Sequence, residues 1–184
     1  MEDRKPTGFT LVELMIVVVI LGVLAAIAVP VFLAPYHYSK TAEVQALLRD
    51  IAAKEEAYKS EFGQYLNVSG AMDFSARRPA TAPRNDFGYV AWNPGSDAID
   101  LAWKQLGFAP QGAVRFGYVV IAGLPGVAAS GAEWPAGLAN TNDHWWAAVA
   151  YGNVKTGTVT GAASCGQYYL SSSQNVIGVA NEGQ

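Results

Sequence analysis

The chain has 184 residues, 51% of them hydrophobic and only 15% charged, against a usual charged share of about 25%. That composition excludes a disordered chain, which is charge-rich and poor in apolar residues. The net charge of −3 argues against an obligate nucleic-acid binder, which carries a basic footprint. A single cysteine excludes an internal disulfide framework and a cysteine-rich zinc site.

The hydrophobic excess is concentrated at one end. Residues 9–34 read FTLVELMIVVVILGVLAAIAVPVFLA, and the only ionisable side chain among these 26 residues is Glu13. About 20 apolar residues cross a bilayer core as a helix, so the run is long enough with some tilt. The valines and isoleucine at 17–20 lower helix propensity in water, but lipid forces the backbone to satisfy its own hydrogen bonds, and helix is the expected state. Arg4 and Lys5 precede the run, which places that short end in the cytoplasm and the remainder outside. With Arg4, Lys5, Glu2, Asp3 and Glu13 set aside, residues 35–184 keep ten Lys/Arg and twelve Asp/Glu over 150 residues. That is a mildly acidic body large enough to bury a core of its own.

The junction at residues 8 and 9 carries the strongest signal. A short polar leader ends Lys5-Pro6-Thr7-Gly8, and Phe9-Thr10-Leu11-Val12-Glu13-Leu14-Met15-Ile16 follows. This order closely resembles the class III signal of type IV pilins and pseudopilins. The resemblance covers residues 4 to about 34, under one fifth of the chain. It implies cleavage between Gly8 and Phe9 by a membrane-embedded prepilin peptidase, followed by methylation of the new amine of Phe9. It also implies a kink of the first helix at Pro30, since the family often carries a proline there; proline removes one helical hydrogen bond. A carboxylate inside a membrane helix costs at least roughly 2.5–3.5 kcal/mol, so Glu13 needs a partner or a function. Either it snorkels to the interface, or, as the family resemblance implies, it faces the Phe9 amine of a neighbouring subunit in a filament core. Gly22, Ala25, Ala26 and Ala28 serve close helix packing or act as membrane-compatible filler. Ala26-Ile27-Ala28 also fits an ordinary signal-peptidase site, which would release a body starting at Val29. Glu13, the apolar residues continuing past that cut and the Gly8-Phe9 junction all count against it.

The body reads as a helix followed by strands. Over residues 38–62 the apolar positions Val44, Leu47, Leu48, Ile51, Tyr58 and Phe62 fall on one side of a helix. Asp50–Lys54 and Glu55–Lys59 place acid before base at i, i+4 and predict an exposed opposite face. Gly63 is a natural stop. One helix therefore runs from the membrane to about residue 62, interrupted near Pro30 and Pro35. The four residues Phe62-Gly63-Gln64-Tyr65 resemble a Gly-x-Tyr turn found after this helix in many family members, although Leu66 stands where a proline often follows. Residues 67–85, with Pro79, Pro83 and the arginines Arg77, Arg78 and Arg84, read as a solvated loop, with a DNA or partner patch as the sharper alternative. A short strand is expected at 86–92, and 98–108 is ambiguous, with a helical turn at 98–103. Alternation of Val114, Phe116, Tyr118, Val120 and Ala122 predicts a strand. A long loop at 123–142, a strand at 145–151, a turn at 152–157 and strands at 167–170 and 175–179 complete the pattern. Helix first and strands close in sequence favour an antiparallel α+β head. The division is a leader at 1–8, a transmembrane and filament-core helix at 9–34, an amphipathic helix at 35–62 and a globular head at 63–184.

Catalytic chemistry is sparse. His37 lies between Tyr36 and Tyr38 at the membrane exit, where an aromatic belt explains the cluster. His144 precedes Trp145-Trp146 at a strand start. No phosphate loop or HExxH occurs. Some pilin-like proteins bind calcium in an acidic turn near the C-terminus; the corresponding turn here has Asn153 and Lys155, so no metal and no cofactor is expected. Cys165 is expected to be a buried thiol, and the five tryptophans and nine tyrosines to be core.

The resemblance thus implies a non-enzymatic structural subunit of a type IV pilus filament. Its fold would be a long N-terminal helix packed against a C-terminal antiparallel sheet. It would insert in the inner membrane as a single-pass protein with its head outside, then join a helical homo-oligomer on the cell surface. The implied partners are the prepilin peptidase, the inner-membrane assembly platform and assembly ATPases, and the outcomes are twitching motility, adhesion or DNA uptake. A surface or DNA ligand stays open. The alternatives are a type II secretion pseudopilin and a membrane-anchored pilus-tip adhesin or binding module.

Overall fold

Helix α1 runs over Leu11–Phe62, and its residues belong to two compact units, Met1–Lys40 and Thr41–Gln184. The structure, a computed structural model, describes residues 9–85, 88–131, 142–153 and 160–180, without the side chains of 29–40. In the first unit, Leu11–Ala28 is long and apolar enough to cross a membrane and is exposed on every side. The helix assignment continues through Pro30 and Pro35, where the sequence led us to expect an interruption. The side chains of Pro30, Tyr36, His37 and Tyr38 lie outside the described residues.

In the second unit, Val44, Leu48 and Ile51 are fully buried at i, i+4 and i+7, and Leu47 and Tyr58 pack partly against the same core. Phe62 departs from the expected stripe and is 55% exposed. The stripe continues instead through Glu55, which is buried and therefore does not form the surface pair with Lys59 suggested by their spacing. Gly63 ends the helix at φ +76°, and its N–H donates to the Lys59 carbonyl at 2.8 Å. That left-handed step is the usual glycine stop.

The sheet is a four-stranded antiparallel meander in the order β1-β2-β3-β4. Its strands are β1 Gly117–Gly123, β2 Trp145–Gly152, β3 Gly166–Ser171 and β4 Gln174–Ala180. The chain is thus α+β, as the sequence suggests. Every residue of β2 is buried because both faces of the sheet are covered. Trp146, Ala148 and Ala150 join the α1 residues in one cluster, and Trp145, Ala147, Val149 and Tyr151 join Met72, Ala162 and Cys165 in another. Glycines on three strands sit under aromatic rings. A Cβ at Gly123 would lie 2.4 Å from Trp145, at Gly152 1.9 Å from Phe116, and at Gly178 2.1 Å from Tyr169. Two of these rings stand directly across the ladder, in the pairs Gly123↔Trp145 and Tyr169↔Gly178.

Residues 67–85 are not a solvated loop. Val68, Ser69, Met72, Ala76 and Ala82 are buried, and a short 3-10 turn forms at Phe74–Ala76. The segment closes the outer edge of β1. The Ser69 N–H donates to the Val120 carbonyl, the Val120 N–H to Ser69 Oγ, and Arg78 and Tyr118 exchange both backbone hydrogen bonds. Helix α2, Ala98–Leu106, replaces the ambiguous turn. Asp97 caps it by accepting the Asp100 N–H at 2.7 Å, and Gly107 ends it at φ +72°. The strand expected at 86–92 reduces to one bridge, Val90↔Val114, with residues 86–87 outside the described residues. Beyond that bridge Trp92 packs edge-on against Trp103, Phe108 and Tyr118. Most of the 123–142 loop and the 152–157 turn lie outside the described residues.

Candidate assembly segment

The functional residues expected from sequence cluster at the start of α1. Gly8 lies outside the described residues; Phe9 stands two residues before the helix and is 81% exposed. Thr10 occupies the cap position. Its N–H donates to Glu13 Oε2 at 2.9 Å, and its hydroxyl donates to the same oxygen at 2.7 Å. The Glu13 N–H in turn points to Thr10 Oγ1 at 3.3 Å, and the Leu14 N–H reaches the Thr10 carbonyl at 3.3 Å. This is a reciprocal capping box, in which N-terminal helix donors that would otherwise lack partners are satisfied by two side chains.

The arrangement matters for a helix start near lipid. Free N–H groups and a bare carboxylate are both costly away from water. Here each relieves the other within one turn. Both Thr10 bonds fall on one carboxylate oxygen, Oε2 of Glu13. The negative charge also sits at the positive end of the helix dipole. The spacing Thr-x-x-Glu before an apolar run was the signal for this cap, and Thr10 is the residue that the sequence reading missed.

The other singled-out residues are spent on structure. Arg77 donates to the carbonyls of Ala82 and Phe74, and its guanidinium lies 3.7 Å from the Phe74 ring centre. Arg78 pairs with Asp100 and Asp97, which fastens the 67–85 segment to α2. The Arg84 carbonyl accepts from Asn153. Two of the three arginines are therefore internal ties rather than elements of a patch for DNA or a partner. Asp97 is held below the usual carboxylate range, first by the Asp100 N–H and then by Arg78. Cys165 is buried beside Ala162 and the outer face of β2. Among the described residues no three His, Cys, Asp or Glu side chains group as metal ligands do.

The N-terminal segment matches a known sequence pattern. Residues 3–29 fit the prokaryotic N-terminal methylation motif. The chain is 35% identical over 97 residues to the type II secretion system core protein G of Aeromonas hydrophila, covering 49% of this chain and 66% of that protein. It is 38% identical over 87 residues to the type IV major pilin protein PilA of Myxococcus xanthus, covering 47% of this chain and 37% of that one. It is 35% identical over 69 residues to the type IV wide pilus major component PilA4 of Thermus thermophilus, covering 38% and 53%. The chain thus spans about two thirds or less of the length of these relatives. No solved structure matches it.

Proposed function

Because this chain belongs to the type IV pilin and pseudopilin family, we propose that it is a structural, non-enzymatic subunit of a type IV pilus filament. One coincidence carries this reading: the methylation motif at residues 3–29 overlaps an apolar helix exposed on every side, with one carboxylate set a turn from its start.

In this reading the precursor inserts through residues 9–34, with Arg4 and Lys5 in the cytoplasm and the head outside. A prepilin peptidase cuts between Gly8 and Phe9 and methylates the Phe9 amine. The assembly platform of the inner membrane and its cytoplasmic ATPases then move residues 9–34 from lipid into a core lined by other copies. Helix 35–62 and head 63–184 take the outer positions. Repeated heterologous contacts of this kind build an open fibre rather than a closed ring. Glu13 meets the Phe9 amine of a neighbour, and Pro30 supplies a bend as the core packs. Motility, adhesion or DNA uptake then follow from the fibre.

A second reading, a subunit of a type II secretion pseudopilus, is favoured by the relative from Aeromonas hydrophila, of which the match covers more than it does of either pilin. N-terminal mass spectrometry of sheared surface material separates the possibilities. Abundant fibres whose subunit starts at methylated Phe9 support the pilus reading. The same mature N-terminus confined to the cell envelope supports the pseudopilus. A mature chain starting at Val29 overturns both.

A further inference from the structure

Glu55 occupies a core position. It follows Val44, Leu48 and Ile51 on the buried stripe of α1 and has no exposed surface. Its Oε2 accepts the backbone N–H of Leu66 at 2.9 Å. Its Oε1 is buried without any hydrogen-bond partner. The cations nearby on α1 are turned elsewhere. Lys59 donates to the Tyr65 hydroxyl at 3.3 Å and lies 4.5 Å from that ring centre, and Lys54 reaches toward Gly107 at the end of α2. Of the nearby acids, Glu56 on α1 itself repels a Glu55 carboxylate. Glu56 accepts from the Tyr65 hydroxyl at 2.8 Å and from the Trp146 indole at 3.4 Å, and Asp143 lies close enough to act on Tyr65.

A bare carboxylate with one unpartnered oxygen in such a place is strongly disfavoured. A neutral acid keeps the Leu66 bond through its carbonyl oxygen and leaves an unpartnered hydroxyl in place of an unpartnered charge, which costs far less. We propose that Glu55 is a protonation-controlled latch: as a neutral acid it fastens the segment following α1 to the helix, and on losing its proton it releases that segment. The segment is suited to this. Gly63 is a left-handed hinge, Gly63, Gln64 and Asn67 are exposed, and the edge-closing bonds to β1 begin only at Ser69. Opening residues 63–67 withdraws the buried Tyr65 from its edge contact with Trp146 and admits water to Glu55 while the sheet stays paired.

Burial pushes the Glu55 carboxyl from the ordinary 4.5 up to about 8, with the Leu66 N–H opposing and Glu56 adding to the rise. In the open segment the carboxyl returns to its ordinary value. Opening therefore releases a proton between those two pH values, and the opening equilibrium climbs about tenfold per pH unit until it levels off above the higher one. The latch is tight in acid and slack in mild alkali.

Hydrogen exchange of the Leu66 amide in the full chain, held in detergent micelles, tests this against Glu55→Gln. Glutamine keeps an acceptor for the Leu66 N–H and does not titrate. The wild-type protection, divided by that of Glu55→Gln at the same pH, is expected to fall roughly a hundredfold over two pH units below pH 8. A Glu56→Gln variant is expected to retain most of that fall. A ratio that stays flat overturns the latch. The wild-type chain also decides the matter alone. The 13C-carboxyl resonance of Glu55 must report a protonated acid at pH 6, and an ionised group there overturns the proposal even if the variant fails to fold.

Discussion

Arg78→Met should destabilise the second unit by about 2–4 kcal/mol, because it strands a charge rather than removing a surface pair. The Arg78 side chain is 14% exposed and Asp100 12%, whereas Asp97 is 56% exposed. The Asp97 pair alone is worth at most about 1 kcal/mol, since exposed ion pairs are screened and carry an entropic cost. The Asp100 pair differs. Its Nε–Oδ1 contact is largely hidden from water, and deleting the guanidinium leaves a carboxylate against Gly95 without its ion-pair partner, while Lys104, one turn on, is committed to the Gly95 carbonyl. Breaking such a pair from one side costs about 3–5 kcal/mol when burial is complete, and the residual exposure lowers the expectation. Methionine keeps most of the aliphatic volume, so packing loss is small. The companion Arg78→Met/Asp100→Asn variant removes the stranded charge and should recover to within about 1 kcal/mol of wild type. Urea unfolding of the full chain, followed by tryptophan fluorescence, reads both. A loss of that size lowers the midpoint by roughly 1–2 M. If Arg78→Met unfolds within about 0.5 kcal/mol of wild type, or the double variant is no better than the single, Arg78 is not the tie described above.

Other consequences are simpler. Leu48→Ala removes a fully buried side chain between α1 and the sheet and should cost about 2–5 kcal/mol by the same unfolding measurement. Gly178→Val places a Cβ where the Tyr169 ring now lies and should lower stability by about 1–3 kcal/mol, while Gly161→Ala, with open space around its Cβ position, should change little in a thermal melt. Glu13→Val should leave membrane insertion intact, as scored by carbonate extraction, and sharply reduce the yield of sheared fibres; a normal fibre yield would remove Glu13 from the assembly contact.

The N-terminal segment was legible because its signal is local. Membrane-length hydrophobicity and one acid inside it depend on residues 9–34 alone. So does the capping box, although Thr10 was passed over despite its plain spacing from Glu13. Strands β1 to β4 and the buried face at Val44, Leu48 and Ile51 were also readable, because alternation and helical repetition record which side of an element is apolar. The same pattern erred at its end, where the core accepted Glu55 and left Phe62 outside. Periodicity reports a face, but not which neighbour will meet it.

What only the tertiary structure decided concerns partners distant in sequence. Residues 67–85 have no repeat and many turn formers, yet their backbone closes the edge of β1 about 50 residues away, which buries Met72 and Ala82. Arg78 finds Asp97 and Asp100 some 20 residues on, so a residue that looks solvated becomes an internal tie. The second covered face of β2 and the rings over Gly123, Gly152 and Gly178 arise in the same way. An unpaired sheet edge and a buried charge each impose a large cost that a suitable segment relieves wherever it lies along the chain. The sequence by itself determined which end is long and apolar enough to cross a membrane and where α1 and β1 to β4 lie, since those follow from near neighbours. The burial of a charge or of an irregular segment depends on long-range pairing, and folding alone selected it.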